Sequence, residues 1–344
     1  MKKQSFFNRF VFVLNYLFAL LLCISYLAPY VSVKIFPFLS VFSLSLPLLV
    51  LVNILFCLYW LLAKNKRILL SALVLFLGYF LVDSFFEFSF KSDEISSEDL
   101  KVMSYNARGF NVNGWSTDKK IGDEIIDFVL EENPDIICFQ EFSRIRNKQL
   151  KHNYKYSFVA PDYKIKKAVQ GIYSKFPIIN TGVLSFANTG NNASFADIAY
   201  KNDTIRVYNL HLESLKVVPD METISNEESS KLYGRITKSF KKQQDQAKIV
   251  QEHIKGNLYK TIVCGDFNNN QYSNVYRTIK GGLQDTFNEK GVAYGRTYNF
   301  KYYPVRIDFI LVSSEFNVTG HKNYDIKLSD HFPVMASFNL RINK

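Results

Sequence analysis

The chain has 344 residues, of which 48% are hydrophobic and 16% aromatic, with a formal net charge of +11. Residues 1–91 hold eight Lys/Arg and two acids, so the remainder carries 34 basic and 29 acidic residues, an excess of five. That excess suits an anionic substrate or membrane surface without marking a nucleic-acid-binding protein, and the four cysteines lack the spacing of a metal centre or disulfide scaffold.

In chain order, three apolar segments come first, over residues 10–30, 36–62 and 68–82. The first two have the roughly 20 apolar residues needed to cross a bilayer, whereas the third is short. A signal peptide is the rival reading of the first, because Lys2, Lys3 and Arg9 precede it. Two further apolar segments would remain after cleavage, so a three-helix anchor over residues 1–90 is expected. Basic residues cluster before the first segment and at Lys64, Lys66 and Arg67 between the second and third; the first loop carries only Lys34. Positive flanks stay cytoplasmic, so an odd number of spans places the rest of the chain on the extracytoplasmic side of an inner or plasma membrane. The apolar region has no intramembrane charge pair, which favours anchoring over transport.

Residues 91–99 are polar and read as a linker. From residue 100 to 344, strands and helices interleave. Strands are expected at 100–106, 135–140, 154–160, 171–174, 194–200, 204–210, 261–265, 306–312 and 334–340. Helices are expected at 118–132 and 231–255, and an exposed loop at 215–230. About 250 residues of this mixture make one α/β domain.

Six polar islands end apolar, strand-like runs: Ser104-Tyr105-Asn106, Gln140-Glu141, Asn209-Leu210-His211, Gly265-Asp266-Phe267-Asn268, Arg306-Ile307-Asp308 and Ser329-Asp330-His331. Polar groups at the ends of buried strands are costly unless they face a shared site. Glu141, Asp266, Asp308 and Asp330, with the carboxamides of Asn106 and Asn268, form an oxygen-rich set suited to Mg²⁺ or Mn²⁺; Zn²⁺ would draw more His or Cys. Alone, Asp266 would read as a turn or cap residue. His211 and His331 stand inside islands, whereas His152, His253 and His321 read as surface residues. Cys138 and Cys264 fall in apolar strands and read as buried thiols, with a bridge between them as the lesser alternative. The aromatics Tyr294, Tyr298, Phe300, Tyr302 and Tyr303 read as core packing rather than as base-stacking platforms.

In this order, and with Gly171-Ile172-Tyr173-Ser174-Lys175-Phe176-Pro177 between the second and third, the islands resemble the motif series of the endonuclease/exonuclease/phosphatase superfamily. The resemblance covers residues 100–344. It implies a four-layered α/β sandwich of the DNase I-like kind, with Glu141 as principal metal ligand and Asn106 and Asp330 nearby. It also implies that Asp266 positions or deprotonates water, that Asn268 orients it or the phosphate, and that His331, paired with Asp308, contacts the scissile phosphate. His211 fills a place where members hold a His or Tyr. Relatives often carry an Arg just before the Gln246-Ala247 pair, where this chain has Gln243 and Gln244; Thr297 precedes Asp308 as in many of them. The expected activity is divalent-metal-dependent hydrolysis of a phosphodiester, in nucleic acid or in a phospholipid or its headgroup, next to a lipid bilayer. The alternative is an inactive membrane-tethered binding or sensor module on the same fold.

Overall fold

The computed structural model describes residues 6–82, 86–87, 98–161, 169–216, 228–301 and 304–341. Most of the expected linker (91–97), much of the expected loop (217–227) and Tyr302 and Tyr303 lie outside them.

The N-terminal third is helical: α1 (Phe6–Ser25), α2 (Pro37–Phe42), α3 (Leu46–Leu62) and α4 (Ile68–Leu81), with a 3₁₀ turn (Ser43–Ser45) joining α2 to α3. Phe6–Ser25 and Pro37–Leu62 are long and apolar enough to cross a membrane; Ile68–Leu81 is shorter. In such a helix hydrophobicity cannot distinguish neighbour from lipid, and polar contacts supply the pairing. Asn15 Nδ2 donates to Ser71 Oγ at 2.6 Å, Ser71 to Asn53 Oδ1 at 2.9 Å and Trp60 Nε1 to Asn15 Oδ1 at 2.8 Å, tying α1, α3 and α4 together.

Two six-stranded sheets form the rest. The first runs β11-β12-β1-β2-β4-β3, from strands β1 (Leu100–Asn106), β2 (Ile136–Gln140), β3 (Tyr156–Ala160), β4 (Gln170–Ser174), β11 (Phe316–Asn323) and β12 (Val334–Leu340). The second runs β5-β6-β7-β8-β10-β9, from β5 (Ile178–Ser185), β6 (Asn192–Tyr200), β7 (Asp203–His211), β8 (Lys260–Asp266), β9 (Gln284–Asp285) and β10 (Asp308–Val312). Among the described residues, β1–β2 and β7–β8 are parallel pairs and the other pairs are antiparallel.

The sheets pack face to face over an apolar core in which Val102, Ile136, Cys138 and Ile172 of one meet Val207, Ile262, Cys264 and Ile310 of the other. Outside the first sheet α5 (Ile121–Glu132) buries Ile121, Ile125, Ile126 and Val129 at helical spacing. Outside the second, α7 (Ser229–Lys255) and α8 (Asn274–Lys280) cover Tyr208, Val263 and Phe309. The remaining helices, α6 (Asn147–Lys151) and α9 (Thr286–Lys290), are short. The molecule is the expected four-layered sandwich preceded by apolar helices.

Several expectations need correction. The sequence reading omits β5, β9 and β11. β5 is an edge strand without clean alternation and β9 is two residues long, whereas β11 alternates over Phe316-Asn317-Val318-Thr319 and loses the pattern past the register shift at Val318/Gly320. The strand expected from residue 306 begins at Asp308, because Arg306 turns away to an ion pair with Asp285 at 2.8 Å, with both groups buried. His321 is not a surface residue: its ring is enclosed, contacts Thr286 Oγ1 at 2.9 Å, and burial pushes its pKa down to about 4. His253 likewise contacts the Tyr208 hydroxyl at 2.8 Å. Cys138 and Cys264 are free buried thiols, as expected.

Gly265 sits in β8 with φ +137°, and a Cβ there would lie 2.1 Å from the Leu210 carbonyl oxygen. Backbone cannot yield as a flexible side chain can, so Gly265→Ala should prevent a cooperative fold or lower Tm by well over about 5 °C, read by differential scanning calorimetry.

Candidate active site

Each polar island arrives at the same rim of the sandwich. Asn106 and Gln140 end β1 and β2 as cross-strand partners. His211 ends β7 opposite Asp266, which ends β8, and Asp266 in turn pairs with Asp308 at the start of the antiparallel β10. His331 lies just before β12, linked to Tyr298 by an isolated bridge. Register thus places ends of strands from both sheets around one depression.

At its centre are two buried carboxylates and an imidazole. Among the described residues, Asp266, Asp308 and His331 offer ligand atoms all within 4.8 Å of one another. His331 Nδ1 stands 2.9 Å and 3.2 Å from the two oxygens of Asp308, and His331 Nε2 lies 3.7 Å from Asp266 Oδ2. Burial opposes the imidazolium, but Asp308 and Asp266 outweigh it and push the His331 pKa up to about 10. The ring therefore carries its charge at neutral pH.

Asp266 is held by three donors: Asn106 Nδ2 and Asn268 Nδ2, each 3.0 Å from Oδ2, and Asn268 N, 2.7 Å from Oδ1. Even so, burial dominates and pushes its pKa up to about 7. Asn268 has φ +49°, a left-handed conformation that carboxamides tolerate, and it aims its own amide back at Asp266. His211 Nε2 lies 3.8 Å from both Glu141 Oε1 and Asp266 Oδ2, and burial lowers its pKa, so it stays neutral.

Of the residues expected to hold metal, Glu141 and Asp330 are the more exposed. Glu141, with φ +47°, leaves 42% of its side chain exposed, and its only ion-pair contact among the described residues is His211. Asn106 is buried, and Asp330 faces Arg108 Nη1 at 3.4 Å. His331 Nδ1 lies against both oxygens of Asp308, and Glu141 is the most exposed carboxylate of the set. This oxygen-rich set, with both thiols away in the core, fits Mg²⁺ or Mn²⁺.

Sequence reasoning missed Arg108. It lies two residues past Asn106, and its φ of +44°, followed by Gly109 at +68°, folds the chain back over the rim, where it stacks on Trp115 at 4.8 Å. Tyr298, taken for core packing, meets the His331 ring edge-on at 4.9 Å. Phe300 lines a cavity and Tyr294 is 44% exposed, so neither is a core residue. Gln243, which stands near the position where an Arg was expected, donates to the carbonyls of Glu213 at 2.6 Å and Asn268 at 3.0 Å and so braces the Asn268 turn. Thr297 Oγ1 accepts from the backbone amides of Ile307 and Asp308 at 2.9 and 3.0 Å, fixing the start of β10.

Two helix-covered sheets with acids, carboxamides and imidazoles gathered at one rim define the DNase I-like class of α/β sandwich. The chain belongs to the endonuclease/exonuclease/phosphatase family, whose model matches residues 103–331. A second model, a domain of unknown function, matches residues 8–85. A family member from Bacteroides thetaiotaomicron is 21% identical, with a TM-score of 0.55 over 71% of this chain and 98% of that one. A mannosyl-6-phosphatase from the same organism is 21% identical, with a TM-score of 0.53 over 70% and 100%. TDP2 of D. rerio, solved with a single-strand DNA product, is 17% identical, with a TM-score of 0.55 over 71% and 100%. At these identities the likeness is one of fold. No curated protein matches the chain.

Proposed function

We propose that this chain is a membrane-anchored, divalent-metal-dependent phosphohydrolase that cleaves a phosphodiester by direct attack of water. The observation that carries this reading is the Asp308–His331–Asp266 cluster, in which a base poised near neutrality stands beside an imidazolium. Phosphoryl transfer asks for that pairing, one group to take the proton of water and another to meet charge on the phosphoryl oxygens. Family membership, and the likeness to a mannosyl-6-phosphatase and to TDP2 solved with a single-strand DNA product, support phosphate-ester hydrolysis in general.

In this mechanism Asp266, aligned by Asn106 and Asn268, orients water toward phosphorus and accepts its proton. His331, held charged by Asp308, contacts an equatorial phosphoryl oxygen, and neutral His211 contacts another. Glu141, with Asn106 and Asp330, would hold the cation, which when bound supplies Lewis-acid stabilisation of the phosphate. Arg108 neutralises charge at the mouth.

Chelation tests the metal requirement. The full-length chain in detergent should hydrolyse bis-p-nitrophenyl phosphate with Mg²⁺ or Mn²⁺, lose at least about a hundredfold of that rate in EDTA, and recover it on adding either ion back. Undiminished turnover in EDTA would refute metal dependence. Absence of turnover with every ion would favour an inactive tethered module.

For the anchor, the proposal takes residues 1–90 as three membrane helices, residues 91–99 as linker and residues 100–344 as the catalytic domain. The orientation is supported by the two ends of the helical bundle. Residues 26–36 contact the catalytic layers: Ser32 Oγ donates to Gln244 Oε1 at 3.0 Å, Asn274 Nδ2 to the Pro29 carbonyl at 2.9 Å, and Lys34 pairs with Asp245 at 2.6 Å. At the other end Arg67, beside Lys64 and Lys66, donates to the carbonyl of Asn8 at 2.8 Å and lies over the Phe12 ring at 4.3 Å. The catalytic layers thus adjoin the loop whose single basic residue is paired, and the basic cluster lies with the N-terminus. A cytoplasmic basic end puts the catalytic end outside. A phosphatase reporter fused after Lys344 should be active only outside the cytoplasm; a reporter active only within it would reverse the orientation.

A further inference from the structure

Beside the catalytic cluster lies a cavity of about 300 Å³, at the small end of ligand-sized pockets. Its wall joins three parts of the fold that are remote in sequence: Leu44 and Pro47 from the apolar N-terminal segment, Leu232 and Ile236 of α7, and Tyr298 and Phe300 from the chain ahead of β10.

One side of the cavity is the active site itself. Asn268 lines it while donating to Asp266, and Tyr298 lines it while packing against His331. The opposite side is continuous with the helical bundle. Leu44 and Ile236 belong to an apolar cluster with Val33 and Phe240, and Tyr272, also on the wall, is packed in a cluster with Leu46 and Leu49. The cavity therefore connects the layer expected to lie in lipid with the reacting groups.

Its chemistry discriminates among phosphate esters. A polynucleotide needs a file of cations and stacking faces, and the cationic residues on this wall are Lys216, which faces Glu213 at 3.9 Å, and Arg306, whose guanidinium is turned to Asp285. A sugar phosphate would need free hydrogen-bonding groups along its wall; here Asn269 and Asn270 are bonded to Gln243, Ser43 and Tyr272, and most of the exposed wall surface is apolar although Ser214 and Gln271 also line it. A hydrocarbon chain needs only the apolar wall and a polar outlet, and Asn268 marks that outlet.

Building on the phosphodiesterase reading, we propose that the substrate is a membrane phosphodiester lipid whose acyl chain occupies this cavity while its phosphate meets Asp266 and His331. Water forms the new P–O bond and gives its proton to Asp266. One ester P–O bond breaks, and its electron pair leaves with an alkoxide that takes up a proton from water. The products are a phosphate monoester and an alcohol.

The test uses the full-length chain in mixed micelles with three substrates: soluble bis-p-nitrophenyl phosphate, a series of phosphatidylcholines and phosphatidylglycerols of increasing acyl length, and single-stranded DNA. On the lipids, whose chains already lie in hydrocarbon, kcat/KM should rise with acyl length until the cavity is filled and then level off, by less per added methylene than the about fourfold of a transfer from water. Leu44→Trp and Ile236→Trp, which fill it, should lower lipid turnover by about tenfold or more and leave bis-p-nitrophenyl phosphate turnover unchanged. Should either variant misfold, a phosphatidylcholine with a diazirine at its acyl terminus gives an independent readout on the native chain, with labels expected at Leu44, Leu232 or Ile236. Turnover of the soluble diester without chain-length dependence, preferential cleavage of DNA, or labelling confined to the outer faces of α1, α3 and α4 would each overturn the lipid assignment alone. Loss of turnover on every substrate would overturn the phosphodiesterase reading and this inference with it.

Discussion

Replacing Asp266 by Asn should lower kcat for bis-p-nitrophenyl phosphate by about 10²–10⁴-fold, the range expected for loss of a general base, with a much smaller change in KM. The substitution keeps volume and shape in a site where the side chain is buried, so the native fold survives and circular dichroism should be unchanged. What it removes is the carboxylate that, among the described residues, both Asn106 and Asn268 address. The pH profile supplies the finer test. Burial holds the Asp266 carboxyl up at about 7, and a cation at Glu141 would draw it down toward the ordinary carboxylate range. The acid limb of kcat/KM should therefore fall between about pH 4 and pH 7, because the base works only when deprotonated. In Asp266→Asn that limb should vanish. A variant that keeps both the native rate and the limb would remove Asp266 from the reaction.

The second large effect is expected at Asp308, which acts through its neighbour. Without the Asp308 carboxylate the His331 pKa falls from about 10, because burial is then opposed only by Asp266 and Asp330. A smaller share of the imidazole would then be charged at physiological pH to meet phosphoryl charge. Asp308→Asn should cost about 10²–10³-fold in kcat at neutral pH. The sign on the acid side distinguishes this from simple misfolding. Lowering the pH re-protonates His331, so the deficit relative to the native chain should narrow as pH falls, until protonation of Asp266 stops both. A deficit that is constant across pH would mean that Asp308 positions the ring without setting its charge.

The six islands were legible because folding made them conspicuous. A run such as Ile136-Ile137-Cys138-Phe139 has only one stable place, between covered faces, so a polar residue ending it must meet another polar residue. Their convergence follows from register, which is why Asn106, His211, Asp266, Asp308 and His331 could be grouped before any coordinates. Arg108 could not. It reaches the rim at the start of four consecutive positive-φ residues, Arg108 to Asn111, and a left-handed backbone at an arginine has no sequence signature. Tyr298 and Phe300 looked like core because aromatic residues usually are, and nothing local says that their neighbours across the space come from Leu44 and Ile236. His321 was misjudged from its polar neighbours, because the shift at Val318/Gly320 hides which face of β11 it occupies. Local pattern carried the strand ends; tertiary closure carried the cavity.

The contacts between residues 26–36 and the catalytic layers have a kinetic consequence. Ser32 and Lys34 on Gln244 and Asp245, Pro29 on Asn274, and Tyr30 stacked 4.1 Å beneath Arg277 fasten the domain at several points around one loop. A domain held that way does not sample the solution on a flexible leash. Under the proposed anchoring, its mouth stays at one height above the bilayer, and encounters are governed by the surface density of substrate rather than by its bulk concentration. Diluting a lipid substrate within a bilayer of constant total area should slow the enzyme, whereas diluting the vesicles at fixed composition should not, once enzyme and substrate share a membrane.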